Sequence, residues 1–323
     1  MNASSSECPV AHDASAAKLT SSCDAELVAL KIVHSTTVRS HKHEDRDGYV
    51  EKGETSYFLI ADGHGGPQAA DIAKADLLMS IIALTADAPL EDAMHAAFLE
   101  LHMRARRDYA AAGTTATVVA IDRMTRWITC ANVGDSLGYL VLPEKLVPLG
   151  VDHRFDNNAE EAQRVVDQGA KIGRAVQAET GQPSGPLRAF PGGLAMGRSI
   201  GDLDCGEWVL ATPSVQRVQL PAEGGRVVIC SDGVWDALGA EAVARIVREA
   251  TTPAAAADKV VPTQLSTQPL RAAPRASIFP RVCIALLVLP LARNSPESRR
   301  APSPQPKLET CPDLHPTRPL ALS

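Results

Sequence analysis

Three apolar runs, TATVVAI (115–121), RWITCANVG (126–134) and SLGYLVL (136–142), follow one another with only a few turn residues between them. A parallel pairing needs a crossover of a dozen residues or more, so these strands must run antiparallel, as a meander. SYFLIA (56–61) and RVVICS (226–231) share their β-branched or aromatic character and are likewise bounded by turn residues. Helical spacing governs other stretches. Leu90, Met94, Ala97, Phe98 and Leu101 line one face, Ile72, Leu77 and Leu78 do so less regularly, and EEAQRVVDQGA (160–170) and AEAVARIVREA (240–250) are amphipathic. The chain is therefore expected to be α+β, an antiparallel sheet core covered by helices, rather than a doubly wound parallel sheet.

The 323 residues, 45% of them hydrophobic, suffice for one large core or two modest ones. The N-terminus lacks a basic segment followed by an apolar one, and the longest apolar run, Val282 to Ala292, is far short of the roughly 20 residues of a membrane helix. Neither export nor membrane anchoring is expected. Seven scattered cysteines with no CxxC pair give no disulfide framework or structural zinc site, and point to a reducing compartment, cytoplasmic or nuclear.

Composition changes sharply near residue 261. Beyond it lie 12 of the 23 prolines, none of the 22 glycines, and eight Lys+Arg against three Asp+Glu. Such a segment is poorly suited to hydrogen-bonded layers. The expected organisation is a polar tail over 1–24, a folded body over 25–260, and a Pro/Arg-rich, poorly ordered tail over 261–323. The tail's arginines lie among prolines without an aromatic platform, so nucleic-acid binding is not expected.

Acids gather at predicted strand ends. HEDRDG presents Glu44 and Asp45, IADGHGG presents Asp62 and His64, NVGDS presents Asp135, and CSDGVWD presents Asp232 and Asp236. Asp62, Asp135 and Asp232 each adjoin glycine or serine, where the backbone can turn sharply and approach an ion. If Asp45, Asp62 and Asp232 converged to about 5 Å, each pair would repel by roughly 3 kcal/mol at an effective dielectric of about 20. A divalent cation is the natural compensation, and oxygen ligands favour Mg²⁺ or Mn²⁺ over zinc or copper.

Taken in order over about residues 35–250, HEDR, FLIADGHGG, GTTATVVAI, ANVGDSLGYL, DHRFDNNAEEAQRVVDQGA, PGGLAMGRSIGD and VVICSDGVWDAL resemble the metal-dependent serine/threonine protein phosphatases of the 2C type. The resemblance implies four layers, a central sandwich of two antiparallel β-sheets flanked by pairs of helices, with two metal ions at one end. It implies that Asp62 bridges both ions, Gly63 lends its carbonyl, Glu44 and Asp45 ligate directly or through water, and Asp232 holds one ion. Asp135 and Asp236 match the positions of a weaker third ion.

Two such cations lower the pKa of a shared water and supply hydroxide for in-line attack on phosphorus. His64, one residue beyond Gly63, is then placed as general acid for the leaving alkoxide. Arg39 is the nearest candidate to grip the phosphate, one residue farther upstream than the family's spacing, and Lys42 competes with it. The expected activity is hydrolysis of phosphoserine and phosphothreonine by a monomer whose partners are phosphorylated proteins.

The resemblance stops at about Pro262. The family's loop bearing a further metal-ligating aspartate, and the last strand of its sandwich, have no matching sequence. CIALLVLPL (283–291) is the local run available to cover the missing strand, and Pro290 would confine it to an edge or a strand end. The absent ligand opens an alternative, a catalytically weakened relative that binds phosphorylated partners.

Overall fold

The structure, a computed structural model, describes residues 30–39, 42–177, 180–267 and 282–288. The chain opens with β1 (Val33–Arg39), β2 (Arg46–Lys52), β3 (Thr55–Ala61) and the two-residue β4 (Gly63–His64). Next come α1 (Gln68–Ile72), a π-turn (Ala73–Leu77), α2 (Leu78–Leu84) and α3 (Leu90–Asp108). After the short β5 (Gly113–Thr114), the meander is β6 (Ala116–Asp122), β7 (Trp127–Val133), β8 (Leu137–Val141) and β9 (Leu146–Pro148). An excursion through α4 (Ala159–Asp167), the hairpin β10 (Lys171–Val176) and β11 (Pro183–Phe190), and β12 (Ile200–Gly201) precedes β13 (Ser214–Gln219) and β14 (Arg226–Cys230). The last elements are α5 (Asp232–Leu238), α6 (Ala240–Glu249), α7 (Pro253–Thr267) and β15 (Val282–Val288).

Two five-stranded antiparallel sheets result, ordered β13-β7-β6-β3-β2 and β1-β15-β14-β8-β9. Strand alternation sorts their side chains into layers. On β3, Phe58 and Ile60 join Val119, Ile121, Leu140, Val227 and Ile229 in the core between the sheets. Tyr57, Leu59 and Ala61, on the other face of β3, pack under Leu77, Ile81, Met94 and Phe98 of α2, α3 and the π-turn. On β14, Val228 and Cys230 face Val234, Val243, Val247 and Ala257 of α5–α7. The arrangement is the expected four-layer sandwich, helices outside and two sheets within. No helix among the described residues is long and apolar enough to cross a membrane.

Part of the segment expected to be a poorly ordered tail is regular structure, and the strand falls on the run expected to be available for it. Val282–Val288 is a strand, and it lies inside its sheet, with Leu286 opposite Ser35 of β1 and opposite Val228 of β14. An uninterrupted apolar run suits a strand flanked on both sides, and the strand closes at Val288, two residues before Pro290. The apolar run thus fills the place between β1 and β14 in the sheet. Helix α7 likewise continues past residue 260, to Thr267; the rest of the 261–323 segment lies outside the described residues.

Candidate active site

Strand register brings the predicted acids to one end of the sandwich. Arg46 sits opposite Ala61, so Glu44 and Asp45, just before β2, lie beside Asp62, just after β3. Ala116 sits opposite Val133, which puts Asp135 at the same end, and Leu137 sits opposite Cys230, which adds Asp232 from the first turn of α5. Arg39 closes β1 opposite Val282, also at this end; its side chain lies outside the described residues.

Asp45 is 4% exposed, and neither of its carboxylate oxygens has a hydrogen-bond partner among the described residues. A buried carboxylate left that way is costly unless a cation meets it. The neighbouring Arg46 guanidinium braces the turn through the carbonyls of His43 and Asp45, both 2.8 Å, and pairs with Asp71. Glu44 accepts the Gly66 amide at 3.1 Å. Gly63 packs so closely on this turn that a Cβ would lie 2.6 Å from the Glu44 carbonyl oxygen, which is why the position requires glycine. These donors are all oxygen, and with the orphaned Asp45 carboxylate they fit a hard divalent cation.

Asp62 is held by its backbone. Its amide donates to Thr115 Oγ1 (3.1 Å) and its carbonyl accepts the Thr115 amide (2.9 Å). Thr115 Oγ1 also bonds Ser136 Oγ at 2.8 Å, and Thr117 Oγ1 donates to the Ser136 carbonyl. The GTTAT and GDS motifs are therefore one buried hydrogen-bonded bridge between the Asp62 and Asp135 loops. Buried His153 braces the second loop. Its Nδ1 lies 3.1 Å from the Gly134 amide nitrogen and 3.0 Å from the Gly134 carbonyl oxygen, and its Nε2 lies 2.9 Å from Ser214 Oγ.

Asp135 and Asp236, the pair matched to a third ion, meet an arginine. Arg154 Nε lies 2.9 Å from Asp135 Oδ2, and its Nη1 lies 2.5 Å from Asp236 Oδ1. Even so, burial and the neighbouring Asp232 push the Asp135 carboxyl up to about 7, outweighing the guanidinium. Arg154 thus stands between the two acids in the structure. Sequence reasoning missed Arg154 because a basic residue beside His153 in DHRF carries no spacing signal of its own.

His64 Nε2 lies 2.8 and 2.9 Å from the two oxygens of Asp202, a residue 138 positions away that spacing alone could not have paired with it. The only hint is the Gly-Asp that ends MGRSIGD. Asp202, Asp204 and Cys205 place ligand atoms within 4.8 Å of one another, but Asp202 is taken by His64 and Ser199, and burial pushes the Cys205 thiol well up, away from thiolate. Strand β15 begins at the acidic end, with Val282 opposite Arg39, and the sequence of residues 268–281 contains no Asp or Glu. A cleft of about 490 Å³ opens at the opposite end of the sheet, near Tyr57 and Trp127, where Arg217 lies over the Trp127 ring and pairs with Glu91. It contains none of the predicted site residues.

The two buried histidines around the site predict a pH dependence. Burial, then Arg106 for His102 and Arg198 for His153, lowers each imidazole to about 4, against attraction from Asp202 and Glu207 on the first and Glu161 and Asp152 on the second. Because the folded-state values are depressed, the unfolded chain takes up protons first. Each histidine therefore leaves stability unchanged above about pH 6.5 and lowers it by about 1.4 kcal/mol per pH unit toward about pH 4. Asp135, raised in the fold, works in the opposite direction below about pH 7. In urea unfolding across this range, His153→Gln is expected to remove one histidine's share of the slope; an unchanged slope would mean that His153 is charged in the fold.

Comparison with known proteins gives a consistent relationship. The sequence profile described as "Protein phosphatase 2C" matches residues 29–268. "Probable protein phosphatase 2C 15" of Oryza sativa subsp. japonica is 38% identical over 263 residues, covering 78% of this chain and 57% of that protein, so the chain spans little more than half of this relative. A serine-threonine phosphatase 2C from Toxoplasma gondii superimposes with a TM-score of 0.60 at 18% identity, covering 81% of this chain and 95% of the other. A C. elegans sex determining protein does so with a TM-score of 0.66, also at 18% identity, covering 81% and 65%. At these identities the two superpositions speak to the fold alone.

Proposed function

The chain belongs to the protein phosphatase 2C family, and from that premise we propose that it hydrolyses phosphoserine and phosphothreonine in proteins with the help of divalent cations. The observation that carries this reading is the buried Asp45 carboxylate with both oxygens unpartnered, at the sandwich end where Glu44, Asp62 and Asp232 also gather. Asp62, the Gly63 carbonyl, Asp45 and Asp232 would hold Mg²⁺ or Mn²⁺, with Glu44 beside them. When bound, such cations lower the pKa of water and offset charge on the phosphoryl oxygens. The protein's own contribution is to fix these oxygens: Thr115 clamps the Asp62 backbone on both sides, so its carboxylate needs little reorganisation. Arg39, at the same end, is the proposed grip on the phosphate. The sequence of residues 268–281 contains no Asp or Glu, so among the described residues Asp62 and Asp232 are the acids proposed for one ion position, and weaker cation binding there is expected.

His64 donates the proton that the departing serine or threonine oxygen needs. Substituting His64→Gln should therefore lower kcat on a phosphothreonine peptide by roughly 10² to 10⁴-fold. The loss should be far smaller on p-nitrophenyl phosphate, whose leaving group scarcely needs protonation. Equal losses on both substrates would contradict the assignment.

A further inference from the structure

Asp202 is 2% exposed and sits at φ +56°, a left-handed conformation that residues other than glycine seldom adopt. Several parts of the chain converge to keep it there. Its amide donates to the Ala112 carbonyl at 3.2 Å. The three-stranded sheet β12-β5-β4 sets Gly113 opposite both Gly201 and His64, so that the Asp202 loop and His64 flank one glycine. A Cβ on Gly113 would come within 2.1–2.4 Å of all three Asp202 carboxyl atoms, so only glycine lets the carboxylate down onto that strand. The Ser199 hydroxyl donates to Oδ2. From α3, buried His102 accepts the neighbouring Gly201 amide at 3.2 Å.

All of this construction points one carboxylate at one imidazole edge, with both oxygens within 2.9 Å of His64 Nε2. We propose that Asp202 is the positioning residue of the proton-transfer step: it fixes the plane of the His64 ring and accepts its Nε2–H, so that the ring is already aligned when the bond between phosphorus and the leaving oxygen breaks. The imidazolium gives its Nδ1 proton to that oxygen and becomes neutral, its Nε2–H stays on Asp202, and Asp202 stays ionised throughout. A carboxylate that orients a working histidine is a recurring device in catalytic and metal sites. The proposal rests on His64 being the general acid. It also accounts for a buried acid that the cation-binding set does not use.

The test compares Asp202→Asn, His64→Gln and the double variant at saturating Mn²⁺, on a phosphothreonine peptide and on p-nitrophenyl phosphate. Asp202→Asn is expected to lower kcat on the peptide by about 10 to 100-fold with little change in KM, and to cost at most a few-fold on the aryl phosphate. The double variant should be no slower than His64→Gln alone, because the carboxylate acts only through the ring. Equal losses for Asp202→Asn on both substrates, or additive losses in the double variant, would overturn the proposal while leaving His64 in its role. If His64→Gln itself loses equally on both substrates, the general-acid reading fails, and the positioning role with it. Should Asp202→Asn fail to fold, Ser199→Ala decides, since it removes one hydrogen bond to Asp202 without touching the histidine. It is expected to slow the peptide reaction about threefold, the fold-change of one weakened orienting bond, and to leave the aryl phosphate rate alone; no selectivity would count against the proposal.

Discussion

Leu286→Pro is expected to destroy the folded state. Leu286 lies in the second strand of its sheet, opposite Ser35 on one side and Val228 on the other. Proline removes a ladder donor there, and its ring does not fit between two paired neighbours. The direct cost is about 3 kcal/mol or more, against a total stability of about 5–15 kcal/mol for a domain of this kind. The indirect cost is larger, because releasing β15 also frees β1, which pairs with nothing else in its sheet among the described residues. Loss of the cooperative melting transition in circular dichroism is the expected result. An unchanged melting temperature would show that the sandwich closes without residues 282–288.

Asp62→Asn is expected to separate activity from stability. Asparagine keeps the shape and leaves the two backbone bonds to Thr115 in place, so the fold has no reason to weaken. Removing one of several gathered acids even relieves repulsion, and the unfolding midpoint without added cation should stay level or rise. Turnover should nevertheless fall by roughly 10³-fold or more, because the carboxylate proposed to serve both cations has lost its charge, and each cation supplies several kcal/mol to the transition state. Activity within about twofold of the parent would remove Asp62 from the cation site. Lost activity with an equally lowered midpoint would mean that the residue is structural.

The strands that the sequence makes legible are the interior ones. β3, β6, β7, β8 and β14 have neighbours on both sides and read as apolar runs, whereas the edge strands β2, β9 and β13, with burial only partial along their length, do not. RDGYVEK and SVQRVQ carry too few apolar residues to stand out from loops. The strand β15 is also interior and its apolar run is plain, but the proline after it pointed to an edge or a strand end rather than to the middle of a sheet. The irregular spacing of Ile72, Leu77 and Leu78 also has a physical cause: the π-turn between α1 and α2 shifts the helical register, so no single 3.6-residue period fits them. At the site, acids next to glycine at strand ends were legible because that combination is local. The pairings of Asp202 with His64 and of Arg154 with Asp135 and Asp236 were not, since they join residues from 19 to 138 positions apart through a fold that has to exist first.

The most direct test is turnover of a phosphothreonine peptide by the purified chain, stripped with a chelator and then titrated with Mn²⁺ or Mg²⁺. The predicted result is no turnover in chelator and saturable recovery on adding either cation, with Asp45→Asn shifting the recovery to higher cation concentration. Turnover that persists unchanged in chelator would contradict the assignment of the acidic end of the sandwich as a cation-dependent phosphatase centre.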